Sequence, residues 1–291
     1  MHEKIKLGIG AANFGKKYGL SNFRIRQNQI NKIFNFIEKK KIDLIDTAKN
    51  YKNSEKIVGE QKKYTKKIVT KIFLKKTNDI NNFLIEEIRN SLLKLNKKKI
   101  YGILIHNIEI LDVIDKEKLY QALENLKKKG LVKKVGFSIY ELRDLKYFKK
   151  QFIPDIIQVP MNIFDRRFCN KAFVDYVRGN KIEVHVRSCF LQGLLINYKN
   201  IKKFKKFKKW NNLFKKLDIF CKKKLINRME ASILFIRNNH FIKYVVIGIE
   251  NVDQLKMIHA ILNCQLKISN FPKNIKSNNL ELIDPRKWNN V

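Results

Sequence analysis

Four side chains in this sequence have the types and positions to place a proton on a carbonyl oxygen: Asp46, Tyr51, Lys71 and His106. Asp46 ends the apolar-rich run IDLID and Tyr51 follows it within IDTAKNY, while Lys71 sits inside KIVTKIF and His106 closes IYGILIH. A phenol ionises near pH ~10, too high to donate readily at neutral pH, and an adjacent ammonium lowers that value by favouring the phenolate. Lys71 supplies the ammonium in this reading, and Asp46 pairs with it to keep it protonated and oriented. His106 then holds the substrate carbonyl by a hydrogen bond. Tyr51 protonates the oxygen while hydride reaches the carbon, and because no side chain carries hydride the chemistry implies a nicotinamide cofactor.

Taken singly, each residue has a structural explanation: Asp46 as a helix cap, Lys71 on a solvated edge, His106 as a satisfied core histidine. The set does chemistry only if the fold brings its members to one place. Short runs rich in Ile and Val recur along the chain: IKLGIG, IDLID, KIVTKIF, IYGILIH, VKKVGFS, DIIQVPM, IEVHVRS and KYVVIGI. Each is too short for a core helix, and each reads as a parallel strand covered on both faces. Between them, NQINKIFNFIEKK, NNFLIEEIRNSLLKL, KEKLYQALENLKKKG and NVDQLKMIHAIL carry apolar residues at spacings of three and four, which predicts amphipathic helices. About eight alternations in 291 residues predict a closed (β/α)8 TIM barrel. An open doubly wound sheet would place G-x-G-x-x-G after the first strand, and Gly8, Gly10 and Gly15 do not fit that spacing. The barrel is expected over residues 1–264 as one domain, with 265–291 a C-terminal tail laid on the barrel or on a partner. In such a barrel the site forms at the C-terminal ends of the strands, where Asp46, Lys71 and His106 fall.

The formal net charge is +37, which would suit a nucleic acid or an anionic surface. The excess is mostly Lys, spread over the whole chain among many Asn and Ile, as an A+T-rich coding sequence would place on solvated faces. Nucleic acid is therefore not the expected partner, since Arg in bidentate geometry is the usual mark of phosphate recognition. Cys169, Cys189, Cys221 and Cys264 are widely spaced, so neither a metal site nor a disulfide framework is expected. No stretch approaches the ~18 apolar residues of a membrane span, and the start MHEKIKLGIG lacks a long apolar segment. A cytoplasmic protein is the expectation, of undetermined oligomeric state.

IDTAKNYKNSEKIVGE resembles the D-T-A-x-x-Y-G-x-S-E-x-x-x-G signature of the aldo-keto reductase family, with Asp46, Tyr51, Ser54, Glu55 and Gly59 in register and VTK and LIH following at strand ends. The resemblance covers almost the whole chain and implies a barrel enzyme whose catalytic tetrad is Asp46, Tyr51, Lys71 and His106. It implies NADPH as cofactor, with NADH the alternative, and a small carbonyl compound as substrate. GFSIY is similar to the family's G-x-S-N, which makes Ser138 a ligand of the nicotinamide amide, although Ile139 replaces the usual Asn. IIQVPMN is similar to Q-x-x-x-N and gives Gln158 and Asn162. RSCFLQGLL places Ser188, Leu191 and Gly193 against the pyrophosphate, largely through backbone groups. VVIGIENVDQL places Gly248, Glu250, Asn251 and Gln254 at the adenosine end, before a helix N-terminus that suits an anion. Glu250 and Asn251 stand where small hydroxyl or basic residues often meet the 2′-phosphate of NADPH. A carboxylate repels that phosphate but accepts hydrogen bonds from a free ribose hydroxyl. Lys52 replaces the Gly that usually follows the catalytic Tyr.

LGIGAANFGKKYGL and LELIDPRKW resemble a bacterial subset often associated with surface-carbohydrate genes, which implies a sugar-like carbonyl. Some family members instead act as cofactor-binding regulatory subunits with little turnover, and that is the alternative function. Residues 198–225 interleave Lys with Ile201, Phe204, Phe207, Trp210, Phe214 and Phe220. A loop and outer helix with aromatics inward is the expected form, with Phe204 and Phe207 as candidate walls of the substrate pocket.

Overall fold

Each strand pairs with the next in parallel, and the eighth closes on the first. The computed structural model describes residues 4–15, 19–20, 24–62, 64, 66–148, 152–197 and 205–288. The strands are β1 (Lys6–Gly10), β2 (Leu44–Asp46), β3 (Lys67–Ile72), β4 (Ile100–Ile105), β5 (Val132–Ser138), β6 (Ile156–Pro160), β7 (Glu183–Arg187) and β8 (Ile242–Gly248), in one closed barrel in chain order. This is the expected (β/α)8 architecture. β2 is shorter than IDLID suggests, because Ile42 N–H turns back to Ile37 O across Lys41, which adopts a left-handed conformation.

The helices follow from the same periodicity. Gln27–Lys39 buries Ile30, Ile33, Phe34 and Ile37, and Val252–Asn263 buries Leu255, Ile258 and Leu262. Helix Ile80–Leu95 starts where Asp79 accepts from Asn82 N–H, and Lys116–Lys128 where Asp115 accepts from Glu117 and Lys118 N–H, each satisfying donors that the first turn leaves open. Among the described residues no helix is long and apolar enough to cross a membrane.

Inside the barrel, Leu44, Val69, Leu104, Ile156, Tyr244 and Val246 pack as one cluster. A polar layer accompanies them: Lys67 Nζ donates to Tyr244 Oη at 2.6 Å, Tyr244 donates to Asp43 at 3.1 Å, and Tyr101 donates to Glu183 at 2.9 Å. Burial and then the Asp43 carboxylate raise the phenols of Tyr64 and Tyr244 well above their ordinary value. Both stay neutral in the fold while the unfolded chain ionises near pH ~10. Stability present below that pH is therefore lost above it, by about 1.4 kcal/mol per pH unit for each phenol. Denaturant midpoints should fall steeply between pH ~9 and ~11, and a flat profile would contradict these buried phenols.

The C-terminal segment lacks a period but not a position. Ile268, Ile275, Leu282, Ile283 and Trp288 are buried, and the Trp288 ring meets Phe207 edge-on at 4.9 Å. Phe207 is fully buried in the core and lies outside the cleft described below, so it is not a pocket wall. In the helix Asn211–Lys223, Phe214 and Phe220 face inward and the lysines outward. Ile201 and Phe204 lie outside the described residues.

Candidate active site

The loop after β2 is held by the polar residues that follow Asp46. Thr47 Oγ1 and Ser54 Oγ hydrogen-bond at 2.8 Å, Ser54 donates onward to Ala11 O at 2.7 Å, and Thr70 donates to Glu55 at 2.7 Å, tying the loop to the ends of β1 and β3. Ser54 and Glu55 are thus loop anchors. Lys52 adopts a left-handed φ of 51°, the conformation that glycine reaches at least cost, so the departure at this position changes the residue and keeps a turn of glycine type. Gly15 lies against the same loop: a Cβ there would sit 2.2 Å from Tyr51 O and 2.4 Å from Ser54 N. Those are backbone atoms that cannot rotate aside. Gly15→Ala should cost about 1–3 kcal/mol of stability and displace Tyr51, lowering kcat/KM. Unaltered thermal unfolding and turnover would show that the loop yields freely.

Asp46 and Lys71 are 4% and 1% exposed. Lys71 Nζ donates to Asp46 Oδ1 and, at 3.0 Å, to Thr47 O, while Gln158 Nε2 donates to Asp46 Oδ2 at 2.8 Å. Lys71 Nζ lies 5.4 Å from the Tyr51 ring centroid, and the Tyr51 and His106 rings meet edge-on at 6.2 Å. The structure therefore brings all four sequence-derived residues together. The electrostatics differ from the expectation. The Tyr51 phenol is held above its ordinary value, first by burial and then by the charge of Asp46, with a smaller contribution from the neighbouring Tyr140 phenol and with only Arg187 pulling it down. Lys71 is itself lowered by burial, which the attraction and hydrogen bond of Asp46 oppose. Lys71 is committed to Asp46, so the pair offers Tyr51 little net positive charge and burial decides the direction.

These groups open on a cleft of about 330 Å³ at the C-terminal ends of the strands. Tyr51, His106, Asp46 and Gln158 line it, together with Ser188, Gly193, Gly248, Glu250 and Gln254. Two buried acceptors nearby have no partner among the described residues: Gln158 Oε1 and Ser138 Oγ. Ile139 is fully buried and binds through its backbone, its N–H donating to Gln158 O and its carbonyl accepting from Arg187 Nη2. Asn162 is turned inward, where its Oδ1 accepts from Phe164 and Asp165 N–H and its Nδ2 donates to Ser188 O. The Leu191 side chain belongs to the core. Ser188, Leu191, Gln192 and Gly193 all have positive φ, and added atoms at Gly193 or Gly248 would meet nothing within 4 Å. Asn251 caps the helix Val252–Asn263 by accepting from Gln254 N–H at 2.8 Å, and Gln254 accepts from Glu250 N–H at 2.7 Å.

Among the cleft residues that escaped the sequence reading are three with polar or charged side chains from separate segments: Tyr140, Arg187 and Arg286. Arg187 ends a strand, which was the available signal. Arg286 lies in a segment without a period, and only the fold delivers it to the cleft.

Comparison with known proteins places this geometry in context. The sequence model described as the aldo/keto reductase family matches residues 6–277. The aldo-keto reductase YhdN of Bacillus subtilis is 29% identical over 167 residues, which cover 53% of this chain and 50% of that protein, so the match spans about half the length of this curated relative. The aldo-keto reductase AKR11C1 from Bacillus halodurans, solved as a holo form, superposes with a TM-score of 0.72 at 18% identity, covering 91% of this chain and 88% of that one. At that identity the superposition speaks for the fold.

Proposed function

The chain belongs to the aldo/keto reductase family, and from that membership we propose that it reduces the carbonyl of a small aldehyde or ketone with NADPH as hydride donor, NADH being the alternative, and with Tyr51 as the acid. One observation carries the reading: a buried Asp46–Lys71 pair lies beside Tyr51 and His106 at a cleft at the strand ends. The cleft also fits the cofactor. An amide N–H can satisfy Gln158 Oε1, an amide group can likewise engage Ser138 Oγ, and the open backbone at Gly193 and Gly248 leaves room for a diphosphate. Bound there, the reduced nicotinamide supplies hydride.

The remaining work belongs to the side chains. Tyr51, held above its ordinary pKa, stays protonated through neutral and alkaline pH and donates to the carbonyl oxygen. His106 positions that oxygen by a hydrogen bond. As the proton leaves, the cation of Arg187 stabilises the phenolate, and Asp46 opposes the burial that would strip Lys71 of its own proton. Glu250, at the cleft before the helix Val252–Asn263, favours a ribose hydroxyl over a phosphate and is the reason NADH remains the alternative. Sugar-like carbonyls are the first substrates to test, following the resemblance of the two chain ends.

Fluorescence titration with NADPH and NADH, each followed by a panel of aldehydes and sugars, tests the reading. Cofactor oxidation by an aldehyde is the expected result. Tight cofactor binding with no oxidation across the panel would favour a regulatory protein on the same fold.

A further inference from the structure

Tyr140, Arg187 and Arg286 reach the cleft from the loop after β5, the end of β7 and the C-terminal segment. The guanidinium carbons of Arg187 and Arg286 lie 4.0 Å and 3.4 Å from the Tyr140 ring centroid. Two carbons that close to one centroid would overlap on a shared face, so the ring lies between them. Such stacking holds a guanidinium by its face and leaves its N–H edge available.

The edges are only partly used. Arg286 is oriented by the buried Asp284, its Nε donating to Oδ1 at 3.0 Å and its Nη2 to Oδ2 at 2.7 Å, and its Nη1 has no partner among the described residues. Arg187 donates from Nη2 to Ile139 O at 3.2 Å, while its buried Nε has no partner and its charge faces no described carboxylate in an ion pair. An unsatisfied buried donor is costly, and more so on a charged group. Among the described residues Asp284 is the only carboxylate in an ion pair with either guanidinium, so a surplus positive charge rests on Arg187, with Glu250 elsewhere in the cleft and Glu109 acting on Arg286 from farther away. That surplus lies near the reacting groups, because Arg187 acts electrostatically on both Tyr51 and Lys71.

We propose that Arg187 and Arg286, clamped on Tyr140, form a subsite for an anionic group of the substrate, so that the carbonyl compound reduced here carries a carboxylate or a phosphate. The proposal rests on the reductase reading above. A planar N–H fork matches either anion, and an anion bound there completes the Arg187 hydrogen bonds that the protein leaves open.

Matched substrate pairs test this on the full chain: 4-oxobutanoate against its methyl ester for carboxylate, and glyceraldehyde 3-phosphate against glyceraldehyde for phosphate. The charged member of at least one pair should show kcat/KM higher by about tenfold or more. That ratio should shrink toward unity in Arg187→Gln and Arg286→Gln and at high salt, with Arg187→Lys intermediate because it keeps the charge and loses the fork. Calorimetric titration with succinate and with inorganic phosphate reads the same subsite without turnover. At least one should bind the native chain and bind Arg187→Gln about tenfold more weakly. Equal kcat/KM within both pairs, in a protein that does turn over, overturns the proposal and leaves the reductase reading intact. Absence of all turnover despite cofactor binding counts against the reductase reading instead, and the two titrations then decide the anion subsite, which fails if neither anion binds. Variants that lose NADPH affinity as much as they lose succinate or phosphate affinity would assign the arginines to the cofactor and also overturn it.

Discussion

Tyr51→Phe is expected to lower kcat by about 10²–10⁴-fold, the usual worth of a positioned general acid, and to do so with little change in the Kd of the reduced nicotinamide. The ring keeps its contacts with His106 and Lys71 in the variant, so the loss isolates the hydroxyl. The direction of the Tyr51 shift adds a pH signature. A phenol held above its ordinary value by burial and Asp46 remains an acid across neutral and alkaline pH, so native carbonyl reduction should show no loss through Tyr51 ionisation up to pH ~10. Alcohol oxidation needs the phenolate and should rise with pH over the same range. Stopped initial rates in both directions measure this. Native and Tyr51→Phe proteins consuming cofactor equally would remove Tyr51 from the mechanism.

The second large effect is in stability. Asp46→Ala leaves the Lys71 ammonium buried beside Thr47 O with its counter-charge gone, and breaking a buried pair from one side costs about 3–5 kcal/mol. Burial already lowers the Lys71 pKa, and without Asp46 only the hydrogen bond to Thr47 O and a smaller contribution from Tyr140 oppose that shift among the described residues. A lysine whose folded pKa is depressed contributes stability above its unfolded pKa that is lost as pH falls, so the Asp46→Ala defect should deepen toward acidic pH. Adding Lys71→Met to Asp46→Ala should recover part of the lost stability, because an apolar side chain has no charge to strand. Denaturant unfolding of the two single variants and the double variant gives the coupling. Strict additivity would mean that the two groups do not interact across the barrel wall. Both single variants should also be nearly inactive, which separates them from ordinary core lesions.

How far the sequence reaches is visible in particular residues. Helix Gln27–Lys39 buries the residues its spacing selects, and β5 falls on VKKVGFS residue for residue, because apolar periodicity is a local record of which face meets the core. Ser54 and Glu55 stand out in the sequence as motif positions, but only the structure shows that they anchor the loop to β1 and β3. The family resemblance offers Asn162 as a candidate cofactor ligand, and in the structure its amide bonds Ser188, Phe164 and Asp165. Nothing in the spacing of a loop states which way its side chains turn.

By itself, the sequence determined that eight strands alternate with helices and that an aspartate, a lysine and a histidine stand at successive strand ends, with a tyrosine in the loop after the first. Short-range spacing is enough for that, since parallel strands in chain order must deliver their C-terminal ends to one face. Tertiary structure alone decided two things. It set the direction of the Tyr51 shift, because burial and the commitment of Lys71 to Asp46 are sums over neighbours distant in the chain. It also gathered residues 140, 187 and 286 around one ring. Contacts across such separations depend on how loops and the C-terminal segment pack over the barrel mouth, and no period in the sequence encodes that packing.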